Sequence, residues 1–146
     1  MRRQMLALAV GVLLVPVLAS AHVTVRPRES KSGAEERYTI RVPTEGVVST
    51  TKVELEVPDG VTIVDVPKPE GATHELKRAN GRVVAIVWTK EIKAKEAAEF
   101  LFVARNPSGA TELAWKAHQH FADGTVSDWT GPPSKRPASI TKLAAK

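Results

Sequence analysis

Period-two alternation constrains this chain more than any other feature. From His22 onward, apolar and polar residues alternate in short runs closed by Pro, Gly, Asn or Asp, and helical periodicity is almost absent. Arg37-Tyr38-Thr39-Ile40-Arg41-Val42-Pro43 and Thr51-Lys52-Val53-Glu54-Leu55-Glu56-Val57-Pro58 are the clearest runs. Asp59-Gly60, Asn80-Gly81 and Asp123-Gly124 supply tight turns between them. Eight or nine strands at this spacing predict an all-β domain, an immunoglobulin-like or cupredoxin-like β-sandwich, with a barrel as the alternative. Residues 132–146, with Pro132, Pro133 and Pro137, read as a C-terminal tail holding at most one edge strand. The domain itself is expected over 22–131.

The first 21 residues follow a different logic. Arg2-Arg3 forms a charged start, Met5 to Leu18 an apolar run broken by Gly11 and Pro16, and Ala19-Ser20-Ala21 a small-residue cleavage site. The order is that of a signal peptide, so residues 1–21 are expected to be removed and His22 to become the first residue. The run is too short for a comfortable membrane span, which argues against an anchor. Two arginines fit an ordinary Sec leader as well as twin-arginine export, and Sec is preferred. The expected location is therefore outside the cytoplasm, periplasmic or extracellular.

Charge and cysteine usage narrow the chemistry further. The formal net charge of +5 falls by two when Arg2 and Arg3 leave, and the rest is spread along the strands as alternating Lys, Arg and Glu, which gives no nucleic-acid footprint. No cysteine is present, so an exported domain must be held by packing without disulfides, and no thiolate is available to a metal. Met1 and Met5 both fall in the expected leader. Soft sulfur ligands for Cu(I) are thus absent from residues 22–146. Hydrolase, phosphate-loop, dinucleotide and zinc-protease motifs are missing too.

His22 is where the residues point to chemistry. Cleavage after Ala21 would give one residue both a free α-amine and an imidazole, two nitrogens able to chelate one ion. The amine has a reference pKa of about 7.7–8.0, so a metal displaces only a weakly held proton near neutrality. Such a pair suits tetragonal N,O coordination of Cu(II). A histidine can also follow a cleavage site by accident, and spacing alone leaves both readings open. His118-x-His120 sets two imidazoles on one strand face, roughly 7 Å apart. That fits an auxiliary copper site and equally a solvated face.

Taken together, His22-Val23-Thr24-Val25 with Pro27 and Ser30, Tyr38-Thr39, Arg41-Val42-Pro43 and Thr51-Lys52-Val53-Glu54-Leu55 resemble the YcnI-like family of bacterial extracytoplasmic copper-binding domains. Val57-Pro58, Trp88, Glu96 with Phe100, Asn106-Pro107, Trp115-Lys116-Ala117, Gln119, Asp123-Gly124 and Trp129-Thr130-Gly131 continue the resemblance over nearly all of residues 22–146. It implies a Cu(II)-binding copper chaperone that is not an enzyme, with other envelope copper-handling proteins as candidate exchange partners. The metal would sit in a single-histidine brace made by the N-terminal histidine, a carboxylate and a nearby tryptophan.

His22 takes the histidine place in that pattern. For the carboxylate, Glu96 matches the family's Gly-Glu pair ahead of the first phenylalanine, with Lys95 standing where the glycine is usual; Glu99 is the alternative. Strand parity also favours Glu96, which alternates with Ala98, Phe100 and Phe102. Trp129 is the first choice for the aromatic partner and Trp115 the second, while Trp88 is assigned to the core. The rival functions are a copper oxidoreductase, which needs His118 or His120 as a second brace imidazole, and a metal-free structural envelope domain.

Overall fold

A computed structural model describes residues 21–133 and 135–146; the expected leader, apart from Ala21, lies outside the described residues. In chain order the strands are β1 Thr24–Arg26, β2 Glu29–Lys31, β3 Glu35–Pro43, β4 Thr50–Glu56, β5 Thr62–Asp65, β6 Thr73–Ala79, β7 Arg82–Ile92, β8 Ala97–Arg105, β9 Glu112–Trp115, β10 Ala117–Phe121, β11 Val126–Trp129 and β12 Ser139–Ala144. There is no helix among the described residues. All-β is therefore the observed class.

Two sheets face each other. One runs β1-β3-β8-β5 and the other β11-β10-β4-β7-β6. Alternation builds the interface: Tyr38, Ile40 and Val42 of β3 and Ala98, Phe100 and Phe102 of β8 turn inward, against Val53, Leu55, Ile86 and Trp88. Trp88 lies flat on Phe100 across the gap, with ring centroids 5.3 Å apart and planes 9° apart. Aromatic contact of this kind adds about 0.5–1.5 kcal/mol beyond the area it buries. Its indole nitrogen is buried with no hydrogen-bond partner among the described residues.

A third, small sheet departs from the sequence reading in three ways. Glu29 to Glu35 reads as a turn, yet Glu29–Lys31 forms β2 before the chain turns at Gly33, whose φ is +72°. The expected tail contributes β12, and this is an inner strand, parallel to β2 and antiparallel to β9, where an edge strand was expected. Its pattern explains why: Thr141 and Leu143 are buried, and Thr141 Oγ1 accepts from the Trp115 indole and donates to the Pro27 carbonyl. The stretch Glu112 to Phe121 also divides at Lys116, so that β9 joins the small sheet and β10 the second large one. A local alternation pattern cannot reveal which sheet a strand enters.

Candidate metal centre

The site is built at one end of the first large sheet. β1 and β8 both run antiparallel to β3, with Thr24 opposite Arg41 and Pro43 opposite Ala97. The start of β1, the end of β3 and the start of β8 therefore share an end. His22, two residues before β1, and Glu96, one before β8, flank Pro43 and Thr44 on either side. Their backbones are two strand spacings apart, roughly 10 Å, and the two residues line separate cavities.

Thr44 fixes the turn that carries Glu96. Its N–H donates to the Glu96 carbonyl at 2.8 Å, and its own carbonyl accepts from Lys95 N at 2.7 Å. Within the turn, Glu96 N donates to the Lys93 carbonyl at 3.0 Å. Lys95 has φ +68°, the left-handed conformation that glycine adopts most readily. The lysine thus keeps the backbone shape that a glycine would supply, and its Nζ donates to the Glu45 carbonyl at 2.5 Å. Because Glu96 lies in this turn and not in a strand, the hydrogen bonds to Thr44 place it, and strand parity does not. Glu96 is exposed and lines a cavity of about 350 Å³ with Arg41, Thr44, Glu45 and Lys95. Glu99 sits opposite Arg41 on the outward face of the same sheet, alternating with the buried Ala98 and Phe100.

The two tryptophans occupy different places. Trp129 pairs with Ala117 and faces inward at the end of edge strand β11, where its ring centroid lies 5.6 Å from that of His22 at a 52° tilt. Its Nε1 donates to Gln119 Oε1 at 3.0 Å. Trp115 packs in the core against Tyr38 and Phe102, with centroids 4.9 and 5.4 Å away, and its Nε1 donates to Thr141 Oγ1. Only Trp129 of the two meets His22.

His118 and His120 alternate with the buried Ala117 and Gln119, which turns them to the outer face of the second large sheet. His118 Nδ1 lies 2.5 Å from Asp128 Oδ1, and Nε2 lies 2.7 Å from Glu56 Oε2. Carboxylates already engage both ring nitrogens. His120 has its pKa lowered, first by burial and then by the Lys52 charge. The histidine pair and the His22–Trp129 contact thus belong to opposite faces of the β10–β11 ladder.

Among the described residues, no three His, Cys, Asp or Glu side chains gather into a metal cage. At the His22 end one imidazole lies against an aromatic face, while the Glu96 carboxylate belongs to the turn on the far side of β3 and lines a separate cavity; His22 N is a peptide nitrogen while Ala21 remains attached. An N,O donor set of this composition fits Cu(II) better than a soft metal.

The profile of the domain of unknown function DUF1775 matches residues 22–146. The chain belongs to this YcnI-like DUF1775 family. Copper-binding protein CutI of Bacillus subtilis (strain 168) is 35% identical over 143 residues, covering 95% of this chain and 70% of CutI. Among solved structures, a Nocardia farcinica protein described as having an immunoglobulin-like fold superposes with a TM-score of 0.72 at 25% identity, over 86% of this chain and 99% of that one. A non-cellulosomal cohesin from Archaeoglobus fulgidus gives 0.52 at 9% identity, covering 86% and 92% of the two chains, and shows likeness of fold alone. The YcnI-like domain is accordingly an immunoglobulin-like sandwich.

Sequence reasoning gave no role to Gln119 or Thr44 of this YcnI-like domain, yet both join the site's parts. Gln119 is 2% exposed and sits among core residues. The available signal was its place between two outward histidines, which puts a polar amide on the buried face, where it must find partners.

Proposed function

We propose that this chain is exported, cut before His22, and handles copper as a Cu(II)-binding chaperone. In this reading the His22 α-amine and imidazole and the Glu96 carboxylate hold the ion, with the Trp129 indole covering one side. The carrying observation is the placement of Trp129 against His22 at the sheet end that also bears Glu96. The copper-binding name of the B. subtilis relative supports the choice of metal. Copper is cargo here. No step of bond-making is required of the protein, only donors of suitable hardness and a path for release. A nearby indole face contributes roughly 0.5–2 kcal/mol toward a cation and excludes water from that side.

A copper oxidoreductase would require a second imidazole at His22. His118 and His120 occupy the outer sheet face, and His74 lies on β6, at the opposite edge of the sheet from β11. The chaperone reading is therefore favoured.

The α-amine separates this site from an ordinary histidine site. A protein that retains Ala21 keeps every donor side chain but converts the amine into an amide nitrogen. Its Cu(II) affinity should drop on the order of a hundredfold, about 2.8 kcal/mol, while apo unfolding stays unchanged. Chelator competition on the two proteins at one pH makes the measurement. Equal affinities would remove the amine from the ligand set and with it the brace.

A further inference from the structure

A buried chain of hydrogen bonds runs from Trp129 to the turn that carries Glu96. The Trp129 indole can only donate, so the Gln119 atom facing it at 3.0 Å is the amide oxygen. The Pro43 carbonyl can only accept, so the atom facing it at 2.9 Å is Nε2. These two partners fix the amide orientation without ambiguity. The second Nε2 hydrogen goes to Thr50 Oγ1 at 2.8 Å. Thr44 Oγ1 spends its own proton on the Ile92 carbonyl at 2.9 Å, so across the 2.7 Å contact Thr50 donates and Thr44 accepts. Every proton in the chain therefore has one direction, from the indole through Gln119, Thr50 and Thr44 to Ile92.

Both ends of this relay reach the proposed copper site. At one end is the ring beside His22. At the other, Thr44 holds both sides of the Glu96 turn through its backbone N–H and carbonyl. The middle partner, Pro43, closes β3 between the starts of β1 and β8. Gln119, Thr44 and Thr50 are all buried, at 2%, 1% and 0% exposure, so water cannot replace a lost partner.

We propose that Gln119 is a positioning residue for the copper site, holding the Trp129 indole against His22 and tying that ring, through Thr50 and Thr44, to the turn that presents Glu96. This inference rests on the copper reading given above. Gln119 touches no metal. It acts by fixing the angle and distance of two elements contributed by opposite sheets, as groups behind metal ligands commonly do.

The test uses the protein beginning at His22, with Gln119→Met, Thr44→Val and Trp129→Phe, singly and with Gln119→Met combined with Trp129→Phe. In the apo state, Gln119→Met should move the Trp129 indole N–H resonance and the Lys95 and Glu96 amide resonances in a folded protein. With Cu(II), it should weaken binding about 10- to 100-fold and alter the electron paramagnetic resonance spectrum of the bound ion. The double variant should lose less affinity than the two single losses multiplied together, because part of what Gln119 does is to hold Trp129. Thr44→Val, which cuts the relay at its other end, should alter the same copper spectrum and decides the matter where Gln119→Met does not fold. Wild-type copper spectra and affinity in a folded Gln119→Met or Thr44→Val protein overturn the proposal, as do Gln119 and Trp129 losses that multiply. The Ala21-retaining protein tells the two failures apart: if it binds Cu(II) as tightly as the His22-initiated one, the brace and this inference fall together. If it binds weakly while Gln119→Met is silent, only the positioning role is lost.

Discussion

Across the β10–β11 ladder, His118 stands opposite Asp128 in register, with its Nδ1 2.5 Å from Asp128 Oδ1. Its other nitrogen lies 2.7 Å from Glu56 Oε2 on β4. Both carboxylates can accept from the one imidazole only when each ring nitrogen carries a proton, so this bridge between three strands favours the imidazolium form. Burial pulls its pKa down, but the hydrogen bonds and charges of Asp128 and Glu56 outweigh that and hold it above the ordinary 6.5. A raised folded-state pKa contributes stability that is full below 6.5 and lost as pH rises through the folded value. His120, lowered by burial and by Lys52, has the opposite sign. The apo unfolding temperature of His118→Asn should therefore converge on that of the wild type as pH rises, with its largest deficit at mildly acidic pH. A deficit independent of pH would mean that His118 matters only through packing.

Lys95 carries a side chain at φ +68°. Lys95→Gly should relieve the left-handed backbone at the expense of an exposed hydrogen bond to Glu45, for a net gain of about 0.5–1 kcal/mol, or roughly 2–4 °C in melting temperature. Differential scanning calorimetry of the two apo proteins reads this directly. A lower melting temperature for the glycine variant would show that the lysine contact outweighs the backbone strain.

The two candidate carboxylates separate cleanly. Glu96→Gln keeps size and removes the anionic donor, and it should weaken Cu(II) binding about 10- to 100-fold. Glu99→Gln, on the outward face opposite Arg41, should leave it unchanged. Chelator competition measures both, and equal losses would detach Glu96 from the proposed ligand set.

The tryptophans should divide stability from binding. Trp115→Phe removes a buried ring's volume and its hydrogen bond to Thr141, at a cost of about 2 kcal/mol in urea unfolding, with Cu(II) affinity intact. Trp129→Phe should change the spectrum of bound Cu(II). A copper phenotype in the Trp115 variant would contradict the separation seen here.

The sequence by itself determined the class of fold, because period-two alternation with turn residues is local information: each of Tyr38, Ile40 and Val42 reports its own inward face. It also singled out His22, Glu96 and Trp129, through order along the chain and family resemblance. What alternation could not carry was partnership between distant strands. Nothing local marks Ser139–Ala144 as lying between β2 and β9, or divides Glu112 to Phe121 between two sheets at Lys116. Lys95 in place of glycine left the Glu96 turn open in sequence, and the tertiary structure closed it, because Thr44 supplies hydrogen bonds on both sides of that turn. The same holds for the site. Trp129 rather than Trp115 meets His22 because β11 and β1 are edge strands of facing sheets, while β9 buries Trp115 against Tyr38 and Phe102. Gln119 acquires a role only once Pro43, Thr50 and Trp129 converge on its amide. A side chain's chemistry is written in its residue type, whereas its partners come from strands far apart in sequence, and only sheet order and register bring those together.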